Sequence, residues 1–338
     1  MHVIHMQLLF SRLAVCLGAL LGLALAPAAR ADPPLEKAVF YLGWRAEPEF
    51  GGFFQALETG IYKKYGLDAE IRLGNPQTNS EVVLALHKAD FIEGSTGDAI
   101  NFLKQDIPFT TVAAMFQKSP RVLIAHAGQG TDTLEQMRGK PILVGAQALT
   151  TVWPFLRARY GFTDDQIRPY TFNEAPFLRD QRAIQEGYVT EEPFVLGQLG
   201  VQHPVVVLLS DHGYEEYAMA LITNRDTAEH RADYVQRFVN ASIEGWYSYL
   251  YGDPSPGNRY IRENNPDLSD EQMAYAIRTM RETGLVDSGD SKRLGIGAMT
   301  PERWDGFYKM VVDAGTAPAG LDVRRAYTLR FINKKVGM

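Results

Sequence analysis

The sequence predicts an α/β protein of two lobes, each a mostly parallel β-sheet flanked by helices, with a ligand cleft between them. Three observations predict this. Short β-rich runs alternate with helical runs from Glu36 to Val122, the spacing of a parallel sheet covered on both faces. A second alternating series begins near Arg121 and is itself domain-sized at about 100 residues. The chain then returns through Ala218 to Thr223 and ends in helices with clear start and stop signals. The expected division is 1–31 as an export signal, 32–118 with 223–338 as the first lobe, and 119–222 as the second. Crossovers are expected near Met115 to Arg121 and Tyr217 to Thr223.

In the first lobe, Lys37 to Leu42 and Leu67 to Leu73 read as strands around a helix at Gly51 to Thr59, closed by Gly60, and a further turn at Ile61 to Tyr65. Ser80 to Lys88 reads as a helix, Asp90 to Glu93 as a strand, Gly97 to Gln105 as a helix and Phe109 to Met115 as a strand. In the second lobe, Val122 to His126 and Pro141 to Val144 are strands about a helix at Leu134 to Arg138. Thr151 to Tyr160 is a helix ended by Gly161. Strands follow at Arg168 to Phe172, Gly187 to Thr190 and Val205 to Leu209. Asp226 to Tyr251 carries Tyr234, Phe238, Ile243, Trp246 and Leu250 along one stripe and reads as one helix. Gly252 to Asn258 reads as a loop, and helices at Asp270 to Thr283 and Pro301 to Ala314 follow Ser269 and Thr300 as caps.

Residues 1–31 carry an apolar core, Leu13 to Leu25, followed by Ala29-Arg30-Ala31, the pattern of a cleaved secretory signal. The run is too short for a bilayer-spanning helix. Cys16 sits in a poor lipobox, with bulky Val15 before it. Cleavage after Ala31 removes Arg12 and Arg30, so 32 of the 34 Lys and Arg remain against 40 Asp and Glu, a balance of −8. That balance argues against nucleic acid and anionic membrane as partners. Cys16 is the single cysteine; without it the chain has no disulfide, thiol nucleophile or thiolate metal site. His87, His126, His203, His212 and His230 are scattered without metal-ligand spacing, and no HExxH, P-loop, GxSxG or GxGxxG occurs. Neither metal, cofactor nor catalysis is expected.

The candidate site lies at strand ends, where parallel sheets bind ligands. Trp44 follows the first strand in a loop with Glu47, Pro48, Phe50 and Phe53. It offers a stacking face for a planar heterocycle, or else plugs the core beneath the loop. Ser95 and Thr96 open a helix and aim hydroxyls and amides at the cleft, or serve only as caps. Phe116 and Gln117 end a strand at the first crossover. Thr150 and Thr151 repeat the helix-start arrangement in the second lobe. Tyr188, Glu191 and Glu192 lie in Gly187-Tyr188-Val189-Thr190-Glu191-Glu192-Pro193-Phe194, where a carboxylate after a strand can accept paired hydrogen bonds from an amino-substituted ring. The adjacent Glu191 and Glu192 also invite an acid/base reading. In an extended segment their side chains diverge, which weakens it.

The collinear segments YLGWRAEPEFGGFFQALETGIYKKYGLDAEI, ADFIEGSTGDAI, PFTTVAAMFQKSPRVLIA, GKPILVG and GYVTEEPF resemble the NMT1/THI5-like family of periplasmic solute-binding proteins. The resemblance implies a type II venus-flytrap fold, and a monomer that delivers a small-molecule ligand to an ABC permease in the inner membrane. Within the family, this pattern is similar to receptors for thiamine pyrimidine precursors, with riboflavin, sulfonate and nitrate receptors as alternatives. Two departures bear on it. Glu191 stands where the family often has Asn, and the cysteine-rich motif of the fungal pyrimidine synthases is missing. Acidic Glu47, Glu191 and Glu192 disfavour an anion; Arg45 and Arg121 are the cations that could hold one.

Overall fold

The computed structural model describes residues 34–75 and 79–338; the expected export signal, with Cys16, lies outside them. Residues Leu35–Met338 form one compact unit. In chain order its regular elements are β1 (Glu36–Tyr41), α1 (Gly51–Glu58), α2 (Ile61–Lys64), β2 (Leu67–Arg72), α3 (Ser80–Ala85), β3 (Phe91–Gly94), α4 (Thr96–Lys104) and β4 (Phe109–Phe116). Then come β5 (Arg121–Ala125), α5 (Leu134–Met137), β6 (Ile142–Val144), α6 (Val152–Tyr160), β7 (Ile167–Pro169), α7 (Ala175–Arg179), β8 (Ile184–Tyr188), α8 (Glu192–Gln198) and β9 (Val205–Leu208). The chain closes with β10 (Ala218–Asn224), α9 (Arg225–His230), α10 (Ala232–Tyr251), α11 (Ser255–Asn264), α12 (Asp270–Thr283), α13 (Ser291–Leu294) and α14 (Pro301–Asp313).

Among the described residues the strands form two five-stranded sheets, ordered β2-β1-β3-β10-β4 and β7-β6-β8-β5-β9. The two orders are the same pattern. In each, one strand runs against the others: β10 pairs antiparallel with β3 and β4, and β5 with β8 and β9. These reversed strands are the ones that bring the chain in from the other sheet. Their amino ends therefore share an edge with the carboxyl ends of the remaining strands. The fold is the expected pair of mostly parallel sheets; the second passage between them falls between Leu208 and Ala218, a few residues before the expected crossover.

The first sheet is held by α10, whose apolar stripe of Tyr234, Phe238, Ile243, Trp246 and Leu250 is buried. Phe238 stacks on Phe91 at 4.0 Å, and Trp246 meets Phe53 and Phe116 edge-on at 5.7 and 5.5 Å. Backbones of α1 and α10 approach closely because both carry glycine at the crossing. A Cβ on Gly245 would lie 2.3 Å from the Gly52 carbonyl oxygen.

Several elements differ from expectation. The helix expected over Asp226 to Tyr251 breaks at Arg231 (φ −119°, ψ 42°), which stacks on Tyr234 at 3.9 Å and pairs with Glu36 at 2.8 Å. The loop expected at Gly252 to Asn258 turns into α11, with Pro256 in its first turn where a missing N–H costs nothing. Its Gly257 N–H donates to Gln55 Oε1 at 2.9 Å. The strand expected at Gly187 to Thr190 is β8, three residues earlier, and α8 begins at Glu192. Buried Gln185 and Glu186 hide that strand in the hydropathy pattern.

Candidate functional site

The carboxyl ends of β1, β3, β6 and β8 and the amino ends of β5 and β10 bring side chains from both sheets together. Two linked acidic clusters result. The first surrounds Arg121, the opening residue of β5. Its Nη1 donates to Glu186 Oε1 at 2.6 Å, with both side chains only 8% exposed, and its Nη2 donates to Gln147 Oε1 at 3.0 Å. The guanidinium lies 5.4 Å from the Tyr188 ring. Glu186 also accepts from Gly145 N–H at 3.4 Å. On the first-sheet side, Asp98 accepts from Ser95 N–H and Oγ at 2.9 and 2.8 Å, and Glu216 accepts from Gly97 N–H at 3.2 Å. Glu93, at the end of β3, faces the same cluster. Among the described residues no hydrogen bond or ion pair engages its carboxyl group.

The second cluster lies beside Trp44. Glu47 Oε1 accepts from Trp44 Nε1 at 3.0 Å and from Arg45 Nε at 2.9 Å. Trp44 meets Phe172, from the second-sheet side, with ring centroids 5.6 Å apart, and Phe172 meets Tyr170 at 5.3 Å. Phe172 is 60% exposed and has φ +60°, a left-handed conformation unusual for a bulky residue. Glu192 accepts from Tyr188 N–H at 2.6 Å and from the Tyr170 hydroxyl at 3.4 Å. Gly187 leaves room for it: a Cβ there would lie 2.5 Å from Glu192 Cδ. Glu191, like Glu93, has no hydrogen-bond or ion-pair partner among the described residues. The clusters communicate, since the charge of Glu186 reaches Glu192.

Crowded, buried carboxyl groups resist ionisation. Burial, then Asp98 and Glu216, pushes Glu93 up to about 8. Burial likewise raises Glu216 to about 7 against the pull of Arg121. Burial, with Glu49 next, raises Glu191 to about 7. Burial and the neighbouring Glu191 drive Glu47 and Glu192 well above the ordinary range, and burial raises Glu49 and Asp98. Burial opposes the charge on Arg121, yet the paired Glu186 holds it protonated. The edge thus sets eight carboxyl groups (Glu47, Glu49, Glu93, Asp98, Glu186, Glu191, Glu192, Glu216) against Arg45 and Arg121. Both cations are already paired with glutamates.

Of the residues the sequence singled out, Trp44, Tyr188, Glu191 and Glu192 come together in these clusters. Ser95 caps α4 in a reciprocal box with Asp98, and the Thr96 hydroxyl accepts from Tyr217 N–H at 3.1 Å, so both have structural partners at the same edge. Thr150 and Thr151 turn their hydroxyls to the Gln147 carbonyl and line a small cavity with Gly97, Asn101, Tyr214 and Phe307. Phe116 and Gln117 lie elsewhere. Phe116 is fully buried against Trp246, and Gln117 Nε2 donates to the Ala114 and Ala298 carbonyls, because β4 ends inside the core. Sequence reasoning passed over Glu93, Asp98, Gln147, Tyr170, Phe172, Glu186 and Glu216 as site residues. The signal available for Glu93 and Glu186 was a charged residue inside an apolar strand, which is costly unless used. His126, stacked on Phe177 and bonded to its carbonyl at 3.0 Å, is a core histidine.

Two sheets of the same strand order, meeting at an acidic, aromatic edge, define the binding-protein class of α/β fold. The chain belongs to the NMT1/THI5 like family, whose model matches residues 47–256. It is 20% identical over 315 residues to the riboflavin-binding protein RibY of Chloroflexus aurantiacus, covering 91% of this chain and 89% of the relative. Among solved structures, the periplasmic aliphatic sulphonate binding protein SsuA of Escherichia coli superposes with a TM-score of 0.65 at 11% identity, over 87% of this chain and 92% of that one. The desulfurization enzyme DSZB shares the fold at a TM-score of 0.59 and 11% identity, over 88% and 97% of the two chains.

Proposed function

We propose that the protein is the periplasmic substrate-binding component of an ABC importer, exported by cleavage after Ala31, that captures a small planar heterocycle bearing an amino group. An aminopyrimidine precursor of thiamine is the first choice. The observation that carries this reading is the pairing of charges at the sheet edges. Arg45 and Arg121 are paired with Glu47 and Glu186, while the carboxyl groups of Glu93 and Glu191 have no partner among the described residues. The edge offers an excess of hydrogen-bond acceptors over its two guanidinium groups, of which half-exposed Arg45 is bonded only through Nε among the described residues, so an amine suits it better than a sulfonate or nitrate, although a sulphonate binder shares the fold. Trp44 and Phe172 supply aromatic faces for the ring.

Riboflavin is the second reading, favoured by the name of the curated relative and by the same aromatic pair. Catalysis is disfavoured even though a desulfurization enzyme has this fold: the only cysteine, Cys16, falls in the export signal. A thermal-shift screen of the purified protein with aminopyrimidines, riboflavin, alkanesulfonates and nitrate tests the reading. A ligand that binds only the folded state adds about 2.7 kcal/mol at a hundredfold excess over its Kd. Stabilisation by aminopyrimidines is expected; stabilisation by sulfonates alone would overturn the proposal.

A further inference from the structure

We infer that Glu93 is a specificity-determining ligand residue, whose carboxyl group pairs with the ring edge carrying an amino group beside a ring nitrogen while Trp44 covers the ring face. This rests on the ligand class proposed above and adds to it an anchor outside the Gly187 to Phe194 segment. Glu93 is the penultimate residue of β3, next to β1, whose continuation is Leu42, Gly43 and Trp44. A Cβ on Gly43 would sit 4.0 Å from Glu93 Oε2, so the carboxyl group lies against the loop that carries the stacking face. The other carboxyl groups of its cluster are already committed: Asp98 to Ser95, Glu186 to Arg121 and Glu216 to Gly97 N–H. Glu93 has no such partner among the described residues. Glu93 is half-buried, so its unpartnered carboxyl group is within reach of a ligand entering from the edge.

A neutral carboxyl group is matched to an amidine-like edge. Its O–H donates to the ring nitrogen and its carbonyl oxygen accepts from the amino N–H, two parallel bonds with one shared proton and no net charge brought into the cleft. The groups facing Glu93 favour this protonated form. Asp98 from α4 and Glu216 ahead of β10 repel its charge, Arg121 from β5 attracts it, and Tyr188 from β8 stays neutral. Below about pH 8 the proton is in place before the ligand arrives; above it, binding must draw one from solvent.

Calorimetric titration of wild type, Glu93→Ala and Glu93→Gln with 4-amino-5-hydroxymethyl-2-methylpyrimidine, and with its desamino analogue, tests this at acidic and alkaline pH. Glu93→Ala is expected to weaken binding of the aminopyrimidine by about 10- to 100-fold, the worth of a bidentate pair. Glu93→Gln, whose amide also presents an acceptor and a donor, is expected to stay within a few-fold of wild type and to lose the alkaline fall in affinity. The desamino analogue should bind wild type weakly and be indifferent to Glu93→Ala, the signature of a direct coupling. Equal loss in both variants, or no loss in either, would overturn the role of Glu93. A wild-type protein that binds riboflavin or a sulfonate but no aminopyrimidine would instead overturn the ligand class on which it rests.

Discussion

Replacing Arg121 by Met removes the central cation of the first acidic cluster while keeping much of the side-chain volume. The Arg121–Glu186 pair spans 2.6 Å with both side chains 8% exposed. Breaking a buried pair from one side leaves an uncompensated charge and costs about 3–5 kcal/mol. Here Glu216 and Glu93 lose the same attraction. With an unfolding entropy of roughly 2.1 cal/mol/K per residue, the unit Leu35–Met338 loses about 1.6 °C per kcal/mol, so Tm should fall by about 5–8 °C near pH 8. In mild acid Glu93 and Glu216 hold protons and no longer need the cation, so the loss should shrink. Adding Glu186→Gln should restore part of the stability. Differential scanning calorimetry at the two pH values reads all three outcomes. A loss below about 1 kcal/mol, or one equal at both pH values, would refute the reasoning about this buried cluster.

Three further outcomes follow from the geometry. Gly187→Ala puts a Cβ 2.5 Å from Glu192 Cδ and must push that carboxyl group off Tyr188 N–H, so ligand affinity should drop and stability fall by about 1–3 kcal/mol; titration calorimetry and thermal melts measure both. Gly245→Val drives a side chain into the Gly52 carbonyl at the α1–α10 crossing and should destabilise by at least as much with no specific effect on ligand affinity in the surviving folded fraction, as read by urea titration. The empty protein should be most stable in mild acid: Glu93 at about 8 and Glu191 and Glu216 at about 7 hold protons that the unfolded chain has already released. Their contribution is therefore complete below the ordinary value of 4.5 and is lost as pH rises to about 8, a decline that Glu93→Gln should flatten in a melt series across that window.

The alternation of short strands and helices made the two sheets legible, because a buried parallel strand and an amphipathic helix have different periods. The stripe on α10 was equally plain. Legibility failed where polar side chains are buried at the sheet edges. Gln185 and Glu186 interrupt β8 with polar residues, so the strand was placed three residues late, and the break at Arg231 came from an ion pair with Glu36 that is distant in sequence. Trp44, Tyr188, Glu191 and Glu192 stand out as candidates in the sequence because they end a strand or lie within a few residues of a strand end. Glu93, Glu216 and Phe172 do not, since a lone charge or aromatic has no periodic signal and becomes a candidate only when the fold brings its neighbours to it. Phe116 and Gln117 mislead for the opposite reason: they end a strand, but that strand ends in the core.

The central claim is that the acidic edge between the sheets receives an amino-bearing planar ring stacked on Trp44. It is tested most directly by titrating the protein with an aminopyrimidine while following tryptophan fluorescence and heat together, beside Trp44→Ala. One ligand per chain, a change in tryptophan emission and a loss of about tenfold or more in the variant are expected, in line with the ~1–3 kcal/mol that stacking on an aromatic contributes. Saturable binding of an alkanesulfonate in place of the aminopyrimidine, or an affinity that Trp44→Ala leaves unchanged, would contradict it.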